Sequence, residues 1–521
     1  MLGSPIVSPS EARSLSRALV GRPSVRLAWW ISLAVFSLLG GLWAVSSPLM
    51  SVPDEPAHTI KAVALAHGQL RGRDERVVSA NPGNPERLDT HVTVPRAYAE
   101  LDQQRACYNF SPTTPAGCAP AVGTDMTLVD ATSYTGTYPP LYYAMVGWPS
   151  RLLTPYRALY AMRLCSVLVC SALLASALVS LRQVAPGGAG MAAIALSVTP
   201  IVVFLMGSIN PSGFEIAAAF AAWASLLDLL CQRGRPSARL VTRVVVATTC
   251  FAAARPLSPL FAVLVVGAVV LASARRPRIR ELAHDRRVQV GTTVLLVGFV
   301  VSTGWVLWSK TYDSFAGSPQ PGLTFRVALH HAIDLEPWHT RQMYGVFGWL
   351  DSPAPWRMAL PWLLVALAMA VVALLVGSWR QRAILASWLV GCVVLPLVAE
   401  ANRAAAYGYI WQGRYTLPLA VGVPVLAAWI IAQPGRLPRR LLEVASLLII
   451  AGMAVGQLIA HGIALTRYSV AIPGRQAFGY LGGHGWRPPV NLWLLALIAV
   501  VATAAYGLWL GVLTRDRQTR R

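Results

Sequence analysis

"LAWWISLAVFSLLGGLWAVSSPLMSVPDEPAH", residues 27–58, joins an uncharged apolar run to a short motif in which Asp54 and Glu55 stand between two prolines and His58 follows. The run at 27–49 is long enough for one crossing, which takes roughly 20 helical residues. Eleven more runs follow, at about 158–181, 188–207, 213–231, 241–254, 256–273, 289–309, 356–377, 383–401, 413–432, 441–463 and 491–513. With 55% hydrophobic and 13% charged residues, the chain reads as an all-α, polytopic transmembrane protein of about twelve helices.

The formal net charge of +22 does not point to nucleic acid, because the basic residues are nearly all Arg, with Lys only at Lys61 and Lys310, and most lie between apolar runs. With a cytoplasmic N-terminus, the inner segments 1–26, 182–187, 232–240, 274–288, 378–382, 433–440 and 514–521 hold 23 Arg against four acids. That is the bias that orients membrane helices. It predicts a multi-pass protein of the cytoplasmic membrane with both termini inside: basic tails at 1–26 and 514–521 flank a transmembrane domain over 27–513. The loop at 50–157, with ten of the 22 acids, and the loop at 310–355 then face the extracytoplasmic side. The first helix has no usual cleavage site after it and reads as a retained anchor.

The runs at 241–254 and 256–273 are short and separated by Arg255 and Pro256. They read as a hairpin whose tip stops in or near the outer leaflet, since Pro256 removes a helix donor and Arg255 is costly facing lipid. A longer kinked segment with a snorkelling Arg255 is the alternative. Cys107 and Cys118 share the first loop with ten residues between them. An oxidising exterior permits a disulfide there, and two unpaired thiols are the other reading. No Cys or His spacing resembles a zinc site, and no phosphate-binding glycine motif follows a strand.

Five clusters carry candidate chemistry. In "PDEPAH", a carboxylate at Asp54 or Glu55 can accept a proton or hold a divalent cation, Mg or Mn, with His58 one helical turn beyond Asp54; Asp54 as a simple helix N-cap stays open. Tyr138 and Tyr142 lie in an aromatic, proline-rich segment that suits either a membrane interface or the wall of a lipid groove. Asn210 and Glu215 lie near the outer end of a helix pair, where Glu215 also reads as a first-turn acid favourable to the helix dipole, and the Arg255 guanidinium at the "ARPLSP" tip suits a lipid phosphate. Arg341, Trp349 and Asp351 belong to a polar, aromatic loop fit for sugar binding or for structure alone. Arg414 heads a helix, where it opposes the dipole unless an anion is near.

Seven motifs in order, "PDEPAH", "YPPLYY", "SINPSGFE", "RPLSP", "GVFGWLDSPAP", "WQGRYTLPLA" and "GWRPPVNLWLL", resemble the membrane proteins of domain-of-unknown-function family 2142, placed with the GT-C glycosyltransferases. The resemblance implies a GT-C-like fold with a large first extracytoplasmic loop and a polyprenyl-phosphate sugar as donor. Asp54 and Glu55 match the acidic motif, with Asp54 as candidate general base; Arg255 and Arg414 are assigned to the donor phosphate from charge and position. The expected function is transfer of a sugar to an envelope glycan or lipid in the bilayer, with no nucleic-acid partner and no certain cofactor. A flippase or transporter of a lipid-linked saccharide, or a noncatalytic envelope-assembly scaffold, are the alternatives. Neither paired repeats nor a midplane acid pair favours transport.

Overall fold

The structure is a computed structural model that describes residues 23–78, 86–314, 320–471, 477–482 and 485–515. Most of both expected basic tails therefore lies outside the described residues. All twelve apolar runs form helix. Ser24 accepts the Leu27 N–H and starts α1, Val25–Ser46. Pro155 opens α4, Pro155–Val184, and Asn210 caps α7, Pro211–Cys231, by accepting the Ser212 N–H. Proline suits a first helical position because the N–H it lacks would be unpaired there.

The expected helix over 188–207 is two, α5 Ala189–Ser197 and α6 Pro200–Met206, bent by 64°. Pro200 cannot continue the hydrogen-bond ladder, and the Val198 carbonyl freed at the bend accepts from Gln457 Nε2 at 2.6 Å. α8, Ala238–Ala252, and α9, Ser258–Ser273, are separate short helices on either side of Arg255. Thus nine helices among the described residues are long and apolar enough to cross a membrane, or ten with the bent pair, fewer than the twelve crossings expected. The remaining long ones are α10 Arg286–Trp308, α12 Trp356–Val376, α13 Trp379–Tyr407, the pair α14 Gly413–Ala420 and α15 Gly422–Ile431, α16 Arg439–Val470 and α17 Leu492–Arg515. Burial sorts them: α7 and α14–α15 are 89% buried over their most apolar stretch, whereas α10 and α13 are 11% and 17% buried and leave their apolar surfaces to lipid.

Two polar segments hold more structure than loops. In the first, α2, Glu55–Ala66, is buried from Glu55 to Ala64. It packs beside a three-stranded antiparallel sheet, β1 Arg73–Val78, β2 Glu86–Pro95 and β3 Leu128–Ser133, in register Val92↔Ala131. Cys107 and Cys118 are joined in a disulfide across the turn beyond β2. α3, Leu141–Gly147, then returns the chain to α4. In the second segment, read as a loop over 310–355, residues Phe325–Gly345 form helix α11 despite Pro337, followed by the hairpin β4 Val346–Phe347 and β5 Ser352–Pro353. The polar composition of α11 concealed it: no apolar stripe marks it as a buried helix.

Candidate functional site

Three segments far apart in sequence meet at Asp54. The chain leaves α1, and Asp54 takes a left-handed conformation, φ 65°, as it enters α2. A non-glycine residue adopts that region only when surrounding contacts hold it. Here they do so from both sides: Arg414 and Asn210 each donate to the Pro53 carbonyl, at 3.2 and 2.8 Å. The Asp54 carboxylate is ion-paired with Arg414 through one oxygen and accepts the Tyr134 hydroxyl at 2.7 Å through the other. Arg414 reaches it because α14 begins on Gly413, where a β-carbon would lie 2.2 Å from the His339 carbonyl oxygen.

Beyond Arg414 the charges alternate. Tyr415 packs under two guanidinium groups, Arg414 at 5.1 Å and Arg255 at 4.4 Å from its ring centre. Arg255 donates to Ser212 Oγ at 3.0 Å and lies 3.7 Å from Glu215, which also accepts the Ser258 hydroxyl at 2.6 Å. The Nε groups of both arginines are buried and make no hydrogen bond. Asp54, Tyr134, Tyr138, Glu215, Arg255 and Tyr415 form one end of a cavity of about 1660 Å³. Its other walls come from α11, the C-terminal end of α13 and the Tyr409–Gln412 turn.

Burial opposes the charge on Asp54, but the Arg414 guanidinium, the nearby His58 and the Tyr134 hydrogen bond outweigh it and hold the carboxyl at about 2. Asp54 is therefore ionised at neutral pH. Burial pushes the His58 imidazole down to about 3 even though Asp54 pulls the other way, and its Nδ1 lies 2.8 Å from the Tyr143 hydroxyl. It is a neutral, buried partner of Tyr143 and does not line the cavity. Tyr138, on the wall, is pushed up to about 12 by burial.

Glu55 faces away from the cavity. Arg163 grips it bidentately, both contacts 2.7 Å, and the Ile209 N–H donates to the same carboxylate at 3.1 Å. Arg163 also donates to the carbonyls of Ala44, Ser47 and Pro48, so it locks the end of α1 to the start of α2. A shared divalent cation does not fit Asp54 and Glu55, because their oxygens face guanidinium, hydroxyl and amide donors. Among the described residues no three His, Cys, Asp or Glu side chains cluster to hold a metal ion.

The other candidates divide. Trp349 lines the cavity, donates its indole N–H to the Met50 carbonyl at 3.0 Å, and carries the Arg105 guanidinium 3.8 Å from its ring centre. Tyr142 is buried on Ser166 and Asn210 is buried as a cap, both outside the cavity lining. Asp351 accepts the Phe110 N–H at 2.8 Å, and Arg341 donates to the Ala354 carbonyl; neither lines the cavity. The sequence reading passed over Tyr134, Arg163, Tyr415 and Glu400. Arg163 and Glu400 carried a usable signal, since an ionisable residue inside an apolar run calls for a partner or a role.

Fold and site together define a polytopic helical membrane protein whose helix ends and first loop enclose a charged cavity. The chain belongs to the DUF2142 family, described as a predicted membrane protein, whose model matches residues 36–423. No curated protein matches it in sequence. Among solved structures it is similar to ArnT from Cupriavidus metallidurans bound to undecaprenyl phosphate, at 13% identity and TM-score 0.40 over 97% of this chain and 77% of that one. The apo state of that protein gives 12% identity and TM-score 0.43 over 94% and 77%.

Proposed function

We propose that this protein is a glycosyltransferase of the extracytoplasmic face, which moves one sugar from a polyprenyl-phosphate carrier to a hydroxyl of an envelope glycan or lipid. The observation that carries the reading is an ionised carboxylate, Asp54, paired with buried Arg414 and joined through Tyr415 to half-buried Arg255, with Asp54 and Arg255 lining one end of a cavity large enough for a donor headgroup and an acceptor and Arg414 behind that lining. Transfer from a phosphate leaving group requires that pairing of base and cations. The arginine distribution over the cytoplasmic segments supports the sidedness.

In the proposed step an acceptor hydroxyl attacks the anomeric carbon, the bond from that carbon to the phosphate oxygen breaks, and its electron pair leaves on polyprenyl phosphate. Asp54 takes the hydroxyl proton. Arg255 and Arg414 hold the phosphate, and a single displacement inverts the anomeric centre. A carboxyl held at about 2 is a weak base, and the donor corrects this. A phosphate drawing on Arg414 shares its charge and adds negative charge beside Asp54, both of which raise the carboxyl toward a useful range.

Purified protein in lipid nanodiscs, given radiolabelled polyprenyl-phosphate sugars and envelope glycan, tests the reading. Labelled glycan and free polyprenyl phosphate should form together. Movement of lipid-linked sugar across a bilayer, with no bond made or broken in any donor, would replace it with the flippase reading.

A further inference from the structure

Five carboxylates line the cavity: Asp54, Asp102, Asp130, Glu215 and Glu400. The first four face cationic or titratable partners, Arg414, Arg105, His91 and Arg255 respectively. Glu400 differs. It is 3% exposed, accepts the Trp411 backbone N–H at 2.9 Å through Oε1, and makes no hydrogen bond through Oε2 among the described residues. A carboxylate only accepts, and an oxygen left open at the cavity wall takes its donor from water or from a ligand hydroxyl.

The surroundings indicate what supplies the missing donor. Trp411, which holds Glu400, packs its ring edge-on to Tyr415 at 5.9 Å between centres, and Tyr415 carries Arg255, so Glu400 stands next to the donor end. Trp338 and His339 of α11 line the same cavity. A few convergent polar groups among aromatic rings suit a ligand with an apolar face and hydroxyls at its edge.

We propose that Glu400, with Trp411 and Trp338, forms an acceptor subsite that binds a saccharide through a ring hydroxyl donated to Glu400 Oε2. The proposal rests on the glycosyltransferase reading and names where its acceptor sits. Glu400 is a binding residue in it; Asp54 remains the group that takes the proton.

The test uses full-length protein in nanodiscs and a panel of methyl glycosides of pentoses, hexoses and deoxyhexoses, followed by saturation-transfer NMR and tryptophan fluorescence. At least one glycoside should bind saturably. Glu400→Gln should weaken it roughly tenfold or more, as for loss of a hydrogen bond to a charged group, and Glu400→Asp less so. Should Glu400→Gln fail to fold, Trp338→Ala, on the half-buried wall, must weaken the same glycoside. Saturable binding of no glycoside, or equal affinity in the Glu400→Gln protein, overturns the proposal and assigns the free oxygen to water alone. Polyprenyl phosphate binding, measured on the same samples, is a separate readout: its loss would count against the donor reading, while its retention without glycoside binding would count against this subsite only.

Discussion

Asp54 and Glu55 are neighbours in sequence, each faces an arginine from a distant helix, and their situations are opposite. Glu55 and Arg163 are both 0% exposed, and all five guanidinium N–H donors of Arg163 are used, on Glu55 and on the carbonyls of Ala44, Ser47 and Pro48. Asp54 is 23% exposed on a cavity wall, and its partner Arg414 keeps a buried Nε without an acceptor. A complete pair has nothing left to offer a ligand, and an incomplete one at a cavity does. Two carboxylates that look alike in the sequence are thus a clamp and a candidate catalytic group.

The largest effect that can break this comparison is on the clamp. Arg163→Ala leaves Glu55 buried and unpaired, and should cost about 3 to 5 kcal/mol of stability, the usual penalty for removing one partner of a buried ion pair. Thermal unfolding in detergent checks it. A protein as stable as the unmodified one would show that the clamp holds nothing.

On the other side of the comparison, Arg414→Ala should weaken polyprenyl phosphate binding by about 1.5 to 3 kcal/mol, the worth of a charge-assisted hydrogen bond. Tryptophan fluorescence titration reads this directly. Unchanged affinity would return Arg414 to the role of a structural partner for Asp54.

A smaller effect sharpens the comparison through pH. His58 is held at about 3 in the folded protein against 6.5 when free, so the stability tied to its neutral form is full above 6.5 and is lost as pH falls from there toward 3. The loss is at most about 1.4 kcal/mol per pH unit for one proton. Asp54, held at about 2 against 3.8, adds its own loss only over that lower window. Between pH 6.5 and 4.5 the unfolding temperature should therefore fall more steeply in the unmodified protein than in His58→Gln. Parallel slopes would mean that His58 titrates freely.

The helices were legible in the sequence because apolar runs near 20 residues have few other uses. Pro200 marked the bend between α5 and α6, yet the apolar run continues through it and concealed the break. The sheet was missed because β1 and β2 lie in a charged segment, "RDERVV" and "ERLDTHVTVP", whose alternation is incomplete. Asp54 stood out as an acid beside prolines at a helix end, and Arg414 as a cation against a helix dipole. Arg163 signalled only that it needed a partner, as an ionisable residue inside an apolar run; which partner was hidden, since Glu55 is 108 residues away. Tyr134 lay one residue before the aromatic segment at 135–153. Such pairings depend on how helices pack, and a single sequence carries no direct record of that.

The most direct test of the central claim, that Asp54 acts on substrate while Glu55 only holds the chain, is turnover by Asp54→Asn at saturating donor. The side chain keeps its shape but cannot take the proton. Transfer should fall roughly 100-fold or more, as for loss of a general base, with polyprenyl phosphate still bound. Transfer at the unmodified rate by a folded Asp54→Asn protein would contradict the account.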